Sequence, residues 1–430
     1  MRKALVALVL VAGCGAPNLR PDVPFVEIIS RSKPAETPAD PKDLTLNEAF
    51  ALAESLSADL AARKDAVAAA KGRLEQAKTW PNPTLRVGRE SITPSSERDN
   101  GGDQAQDVIG LNYPIFLGNQ RGAAVARAEE EFRLAEAEWE VAQRELRVRV
   151  AQAFADALFA QEGLVLSRRE QEIAQKLHEL AKTRLDAGDI AEREVVRADV
   201  DAGRASIRVL DAESIRDQAM LSLGAAIGDR KLQIRAVNGD MALPAIEISF
   251  EELERLILED SPLARRWAAL RAVAQGKVRE AEAAGWPVLN LSAAYRRYAA
   301  TDQNTVDLGI DLPLPIFDRR SGAIDAARAE LTQTEREILA ELTRTLAELA
   351  ARFRELRSLR ERLDVYRKTL IPSTERSLEL VSTAYQGREA STLELLDAER
   401  SLIEVRRESL EASRAYHRAA ADLQKYARRL

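Results

Sequence analysis

A long internal duplication limits the folds open to this chain more than any other feature. The run Trp80–Leu85 is echoed by Trp286–Leu289, and Pro114–Arg121 is echoed by Pro315–Gly322, in the same order about 200 residues later. In both halves these motifs flank a stretch of alternating apolar and polar residues, while the remaining sequence has a helical period. The duplication therefore predicts two structurally similar units, each with a pair of strands set between helices.

Residues 1–13 have the features of a secretory signal peptide, with a positive start, a short apolar run and small residues before the cleavage position. The residues around Cys14 also resemble a bacterial lipobox, in which the cysteine is lipidated and begins the mature protein. Because Cys14 is the only cysteine, we expect an exported, lipid-anchored protein without disulfide bonds. The alternative is an ordinary signal peptide with an incidental cysteine. Six prolines in residues 14–43 predict an extended linker after the anchor.

Charge and hydropathy exclude several classes of protein. Charged residues make up 31% of the chain, and both signs are mixed along it. Removal of Arg2 and Lys3 with the signal lowers the net charge by two, from -6 to -8. This pattern is typical of a solvated helical surface and not of a nucleic-acid interface. No apolar run of about 18 residues follows the signal, so no transmembrane helix is predicted.

Most of the remaining sequence predicts long helices in two repeats, residues 44–230 and 248–430, joined by a linker over 231–247. Each repeat begins with one helix, which runs to the Trp-Pro motif. A second helix of about 70 residues follows the strands and would reach roughly 100 Å. Such helices persist only by packing side by side, as the near-heptad apolar spacing of residues 324–363 indicates. Gly188 and Gly387 then predict left-handed turns into a further helix, and Pro372 predicts a kink.

Four segments predict membrane strands, at about 84–92, 106–116, 287–297 and 304–314. In residues 305–312 every second side chain is apolar, and Thr305, Asp307, Gly309 and Asp311 alternate with them. This is the lipid-facing and water-facing alternation of a transmembrane strand. Arg89, on the apolar side of the first segment, weakens the pattern there. The alternative interpretation is a pair of soluble hairpins that cap a helical bundle.

Four strands cannot close a barrel, and an open sheet edge in hydrocarbon leaves unpaired amides. If these strands lie in lipid, several copies of the chain must share one wall. Three copies would supply twelve strands around a lumen. The sequence thus predicts a mainly α protein with a small membrane β part, which assembles as a trimeric α-barrel joined to a 12-stranded β-barrel.

The duplicated plan of helix, strand pair, long helix and helix resembles the TolC-like outer-membrane factors. The resemblance runs from about Leu44 to the C-terminus and includes the lipobox, the duplicated Pro-Ile-Phe motifs and the sequence Leu393–Glu399 after the second turn. Asn82-Pro83 and Gly118–Gly122 are similar to the heavy-metal efflux branch, the CzcC-like proteins. The resemblance implies an outer-membrane homotrimer that extends into the periplasm and binds a periplasmic adaptor, or membrane fusion protein, and an inner-membrane transporter.

The resemblance also implies two sets of functional residues. Glu394 and Asp397 match the acidic residues of the family's periplasmic aperture, although one extra residue separates Gly387 from that motif. Glu194 and Arg197 in the first repeat are their candidate partners across the hairpin interface. Residues of the two helical turns lie where the family's helical tips meet the adaptor, namely Gly188, Asp189, Gly387 and Ser391.

No residues suggest an enzyme, a resident metal or a cofactor other than the lipid on Cys14. His178 and His417 are far apart in helical segments, which favours surface or packing roles over metal ligation. We therefore expect a passive exit duct of a tripartite efflux pump that carries metal cations or small toxic compounds. A type I secretion duct would use the same architecture, and a structural periplasmic coiled-coil lipoprotein is a further alternative.

Overall fold

A computed structural model of the chain describes residues 42–91, 105–229, 231–241, 248–299, 301–387 and 389–426. Cys14, the signal and most of the predicted linker lie outside these residues. The first half contains, in order, β1 (Lys42–Thr45), α1 (Leu46–Leu56), α2 (Ala58–Lys78), β2 (Thr84–Glu90), β3 (Gln106–Phe116), α3 (Gln120–Asp186), α4 (Glu192–Ile227) and β4 (Ile234–Asn238). The second contains α5 (Phe250–Asp260), α6 (Pro262–Ala283), β5 (Val288–Tyr298), β6 (Asn304–Asp311), α7 (Ser321–Val365), a π turn (Tyr366–Leu370), α8 (Ile371–Gln386) and α9 (Thr392–Gln424).

The first helix of each repeat is broken at an equivalent serine, so the prediction of one continuous helix is wrong in both halves. Ser57 separates α1 from α2, and Ser261 separates α5 from α6. Each serine oxygen accepts a hydrogen bond from the backbone N–H three residues later, at 3.2 Å from Leu60 and 2.9 Å from Ala264. A serine N-cap stabilises a helix by about 1 kcal/mol, and here it starts a new helix inside a favourable periodic pattern.

The very long helices have the predicted extent. The α3 helix contains 67 residues and is about 100 Å long. The equivalent segment of the second half consists of α7, the π turn and α8, and the π turn lies just before Pro372. Proline cannot donate the backbone hydrogen bond of a regular helix. The helix therefore widens into the π turn at the position of the predicted kink. Within the described parts of the chain, no helix combines the length and the apolar character that crossing a membrane requires.

Each half packs around its own apolar core. The first core joins α1, α3, α4 and the short strands, and includes Phe154, Leu223 and Ile227. The second joins α5, α6, α7 and α9, with Trp267 and Tyr416 among its largest side chains. A smaller cluster joins α3 to α9 and so links the two halves along the long helices, through Ile173, Leu396 and Ile403.

A short parallel strand pair, β1 with β4, lies at the side of the first core. Leu44 pairs with Val237, and both side chains are buried. Arg235 extends from β4 and forms a two-pronged ion pair with Asp43, at 2.8 and 2.9 Å. The sequence predicts only a linker over 231–247, because this strand pairs with a segment about 190 residues away and no local pattern reveals such a partner.

Four strands form one antiparallel sheet in the order β2-β3-β5-β6. Each repeat supplies one hairpin, and β3 joins β5 along its full length, from Gln106 opposite Tyr298 to Phe116 opposite Val288. The strands lie within about three residues of the predicted segments. Both edges of the sheet, β2 and β6, are unpaired within the described part of a single chain.

Candidate functional site

One face of the sheet is an exposed apolar surface. The strand register aligns its side chains in rows across all four strands, such as Leu85, Leu111, Ala293 and Leu308. The next row consists of Val87, Ile109, Tyr295 and Val306. Leu308 is 81% exposed and Val306 is 69% exposed. Burying such a side chain is worth about 1.5–3 kcal/mol, so an apolar surface of this size indicates contact with something other than water.

The opposite face of the sheet is polar and held by ion pairs. Arg296 on β5 pairs with Glu90 on β2 and with Asp307 on β6, each at 2.9 Å, and also donates to Gln106 on β3. Arg86 forms a second ion pair with Glu90, at 2.7 Å. One guanidinium therefore contacts side chains from the other three strands. The two faces match the lipid and water sides of a transmembrane strand.

Arg89 lies on the apolar side, but at the end of the sheet. It is opposite Asp107, which is opposite Arg297, and Arg89 and Asp107 approach within 3.8 Å. Arg297 pairs with Asp302 in the β5–β6 turn at 2.6 Å. This charged row borders the apolar rows and does not interrupt them. Arg89 on the apolar side of β2 is therefore compatible with a membrane strand, because charged residues belong at the water-facing edge of an apolar band.

The two repeats enter their long helices through the same unusual backbone conformation. Asn119 before α3 and Arg320 before α7 both have left-handed φ angles, 55° and 58°. At the first junction, Trp286 covers Gly118 so closely that a Cβ there would lie 2.2 Å from the tryptophan Cβ. The Gln120 amide donates to the Trp286 carbonyl at 2.6 Å. Only glycine fits beneath Trp286, which explains the Gly118 of the first motif.

Trp80 has a different partner from Trp286. The Arg121 guanidinium stacks over the Trp80 ring at 4.3 Å from its centroid and donates to the Lys78 carbonyl. Both tryptophans remain more than half exposed. Exposed tryptophans beside an apolar band are typical of the boundary between lipid and water.

The two helical tips differ in backbone conformation. Gly188 has φ 78°, and the N–H groups of Gly188 and Asp189 donate to the carbonyls of Leu185 and Arg184, both at 2.9 Å, in a Schellman motif. Gly387 has φ -73°, so its predicted left-handed conformation is wrong. The corresponding long-range bond runs from Glu389 N–H to the Ala384 carbonyl, which places Gly387 one position earlier in the turn. The extra residue of the second hairpin accounts for this shift.

The two predicted aperture acids have different surroundings. Glu394 belongs to a capping box: its carboxylate accepts from the Ser391 N–H at 2.6 Å and from the Ser391 hydroxyl at 2.9 Å. The Ser391 backbone N–H, followed by the hydroxyl, lowers the pKa of Glu394 below its ordinary value of 4.5. This cap therefore stabilises α9 above pH 4.5 and is lost as the pH falls below that value. Asp397 is exposed on the next turn and has no ion pair within the described residues.

Within one subunit, no hydrogen bond or ion pair of the described residues joins Glu194 or Arg197 to Glu394 or Asp397. Glu194 instead pairs with Arg193 at 3.3 Å. The four residues remain candidates for contacts between subunits. Ser391 and Asp189 lie beside the turns, as the sequence predicts for the tips.

A carboxylate further along the long helices joins both repeats and was missed by the sequence analysis. Glu170 on α3 pairs with Arg208 on α4 at 2.7 Å and with Arg407 on α9. Its side chain is 18% exposed, and Arg169 reinforces the same joint through Glu399 at 3.4 Å. In a chain so rich in Glu and Arg, no sequence signal distinguishes these residues. Glu170 therefore connects the α3–α4 hairpin to α9, the second helix of the other hairpin.

The two histidines lie in different environments. His417 packs against Phe159, with ring centroids 5.3 Å apart, and burial lowers its pKa below 6.5. His178 lies 3.9 Å from Asp199. Across the described ranges, no group of three or more His, Cys, Asp or Glu side chains is arranged to hold a metal ion.

The sequence matches the family model described as outer membrane efflux protein over residues 50–229 and 253–427. The cobalt-zinc-cadmium resistance protein CzcC of Cupriavidus metallidurans is 27% identical over 411 residues, which cover 94% of each chain. The nickel and cobalt resistance protein CnrC of the same organism is 27% identical over 303 residues, covering 70% of this chain and 69% of CnrC.

The fold is also found in a solved channel structure. The structure of CusC, described with the conformational changes that accompany folding and transmembrane channel formation, superposes with a TM-score of 0.72 at 18% identity. The match covers 89% of this chain and 91% of that chain. The two matched stretches of the family model coincide with the two repeats and together span most of the sequence. The chain therefore belongs to the outer membrane efflux protein family.

Proposed function

We propose that the protein is a passive, trimeric exit duct of a tripartite metal-efflux pump, anchored in the outer membrane by a lipid on Cys14. The observation that carries the proposal is the two-faced sheet. Its apolar face is exposed across all four strands, and its polar face is satisfied by the ion pairs of Arg296. A sheet with one lipid face and one water face forms the wall of a channel.

Three copies of the chain close this wall. Each subunit leaves β2 and β6 as free edges, and such edges are not tolerated in hydrocarbon. A cyclic trimer joins the edge formed by β6 and the residues after it to the β2 edge of the next subunit and gives twelve strands. The long helices continue from these strands and form the periplasmic tube, in which Glu170 holds neighbouring helices together.

Divalent metal cations are the proposed cargo. CzcC and CnrC are named for resistance to cobalt, zinc, cadmium and nickel, and CzcC matches this chain over nearly its whole length. A duct must release what enters it, so weak, exposed carboxylates such as Asp397 suit this role better than a tight coordination site. The energy for transport comes from an inner-membrane transporter.

Deletion of the gene is expected to increase the sensitivity of the host to cobalt, zinc, cadmium or nickel. The measurement is growth inhibition across a panel of these metals, dyes and antibiotics, with the wild-type gene supplied on a plasmid as the control. Greater sensitivity to metals, restored by the plasmid, supports metal efflux. A deletion that changes only dye or antibiotic sensitivity would reject metal as the cargo but not the duct.

The helical tips are the proposed contact with the periplasmic adaptor. Gly188 and Asp189 in the first turn, and Gly387 and Ser391 in the second, form the ends of the two hairpins furthest along the chain from the sheet. A photoreactive amino acid at position 189 or 391 is expected to crosslink a co-expressed adaptor. Crosslinking no stronger than from exposed position 357, in the last third of α7 and far from both turns, would place the adaptor elsewhere.

A further inference from the structure

The segment directly after β6, Leu312–Phe317, has no strand partner within the described part of its own chain, and the Ile316 N–H donates to the Leu314 carbonyl at 2.8 Å. Leu314 is 68% exposed, Ile316 is 61% exposed and Phe317 is 99% exposed. The matching segment of the first repeat is not left open in this way. There, Tyr113–Phe116 forms the second part of β3 and pairs with β5, with Tyr113 opposite Leu291 and Ile115 opposite Leu289.

The two repeats correspond residue by residue in this region. Pro114-Ile115-Phe116 matches Pro315-Ile316-Phe317, and the left-handed Asn119 matches Arg320 at the same separation in sequence. Ile115 therefore corresponds to Ile316.

The opposite strands correspond through the hairpin registers. Leu85 lies opposite Leu111 in the first hairpin, and the register of the second, with Asn290 opposite Asp311, places Leu289 in line with Leu312. Because Leu111 corresponds to Leu312, Leu289 corresponds to Leu85. The helix-breaking serines Ser57 and Ser261 are separated by the same number of residues as Leu85 and Leu289.

We propose that Leu312–Phe317 pairs antiparallel with β2 of the partner subunit, in the register that β3 and β5 use within one chain. Ile115 lies opposite Leu289, so Ile316 lies opposite Leu85 of the partner subunit. Likewise, Tyr113 lies opposite Leu291, so Leu314 lies opposite Val87 of the partner subunit. This inference rests on the trimeric duct proposed above and adds the residue-level register of its subunit joint.

Side-chain polarity supports this register. It places the exposed Leu314 and Ile316 in the same apolar rows as the partner's Val87 and Leu85, so the lipid face continues across the joint. On the polar face it places Asp311 opposite Glu90 of the partner subunit. Asp311 makes no ion pair with the described residues of its own chain, and the partner's Glu90 is already held by Arg86 at 2.7 Å. Two carboxylates directly opposite each other repel, and the positive charges of Arg86 and Arg296, which bind Glu90 at 2.7 and 2.9 Å, offset this repulsion.

Side-chain size supports the register independently. At the joint within one chain, Gly118 accommodates the large Trp286. At the joint between subunits, the correspondence from the strand registers, which is shifted by two residues from the Trp-Pro motif, puts Arg319 in the place of Gly118, and Asn82 of the partner subunit in the place of Trp286. A large residue has replaced the small one and a small residue has replaced the large one. Such an exchange conserves volume, as expected if the two joints share one geometry.

Paired cysteines test the register in the full-length protein in outer-membrane vesicles. Opposite residues of an antiparallel pair have Cα atoms about 4.5–5.5 Å apart, within disulfide range. Ile316→Cys with Leu85→Cys is expected to convert most of the protein to a covalent trimer on oxidation. Leu314→Cys with Val87→Cys is a second pair in register, which guards against one misfolded variant.

The matched control is Ile316→Cys with Arg89→Cys, which keeps the same face but lies four residues, or about 14 Å, out of register. Each single-cysteine variant measures any background from Cys14. An intact trimer in which the control pair crosslinks as well as the two designed pairs would overturn the register but leave the duct in place. Failure to isolate any trimer from the wild-type membrane would overturn both proposals.

Discussion

Leu308→Arg is expected to prevent stable assembly in the outer membrane. Leu308 lies on β6 in the middle rows of the apolar face and is 81% exposed in the isolated subunit. An arginine that faces lipid near the bilayer midplane costs about 2–4 kcal/mol. Three symmetric copies would cost roughly 6–12 kcal/mol, comparable with the whole stability of a typical protein of 5–15 kcal/mol. The measurement is the fraction of trimer extracted from outer membranes in mild detergent.

Asn290→Arg is the matched control for this substitution. Asn290 is exposed on the polar face, opposite Asp311, so an arginine there gains a carboxylate neighbour in water. We expect this variant to assemble like the wild type. If Leu308→Arg also assembles normally, the apolar face is in water, and the sheet would be a cap on a helical bundle instead of a membrane wall.

The strands could be predicted because a sheet with lipid on one face and water on the other alternates apolar and polar residues along each strand. In residues 305–312 this alternation is unbroken, and the Trp-Pro and Pro-Ile-Phe motifs mark where helices must stop. Arg89 weakened the prediction only because the sequence does not show how close a residue lies to the end of the sheet. The register reveals that Arg89 belongs to the charged end row with Asp107 and Arg297.

Features that depend on distant partners could not be predicted. The β4 strand is defined by β1 at the far end of the repeat, and Glu170 is defined by arginines on two other helices. Gly387 illustrates a different limit, since one additional residue moved it from the left-handed position to a helical φ. Ser57 and Ser261 are ordinary serines in a helical pattern until their capping bonds are seen.

The duplication was informative in a way that no single motif was. Each half supplies a control for the other, and a contact that one half makes and the other lacks is a candidate for a contact between subunits. Gly118 beneath Trp286 and the exposed Phe317 are the clearest pair, since one junction is filled within the chain and the other is open in the described residues.

Neutralising the acids after the second turn is expected to raise the single-channel conductance of the duct in planar bilayers. Three-fold symmetry turns Asp397 into a ring of three carboxylates that can hold ion pairs or cations across a closed mouth. Asp397→Asn removes this charge at constant volume. Glu394→Gln removes the second charge but preserves the capping box with Ser391, because glutamine is equally suited to that position. The double variant should therefore open the mouth without unravelling α9.

Glu404→Gln is the matched control for the double variant, since Glu404 is an exposed carboxylate on the same helix, about 15 Å further from the tip than Glu394. It removes one charge from the tube and should leave the conductance unchanged. The sign of the effect separates two roles for the ring. Acids that lock the mouth give a higher conductance when neutralised, whereas acids that only concentrate cations give a lower one and reduced cation selectivity. Unchanged or lower conductance in the double variant would therefore contradict a gate at Glu394 and Asp397.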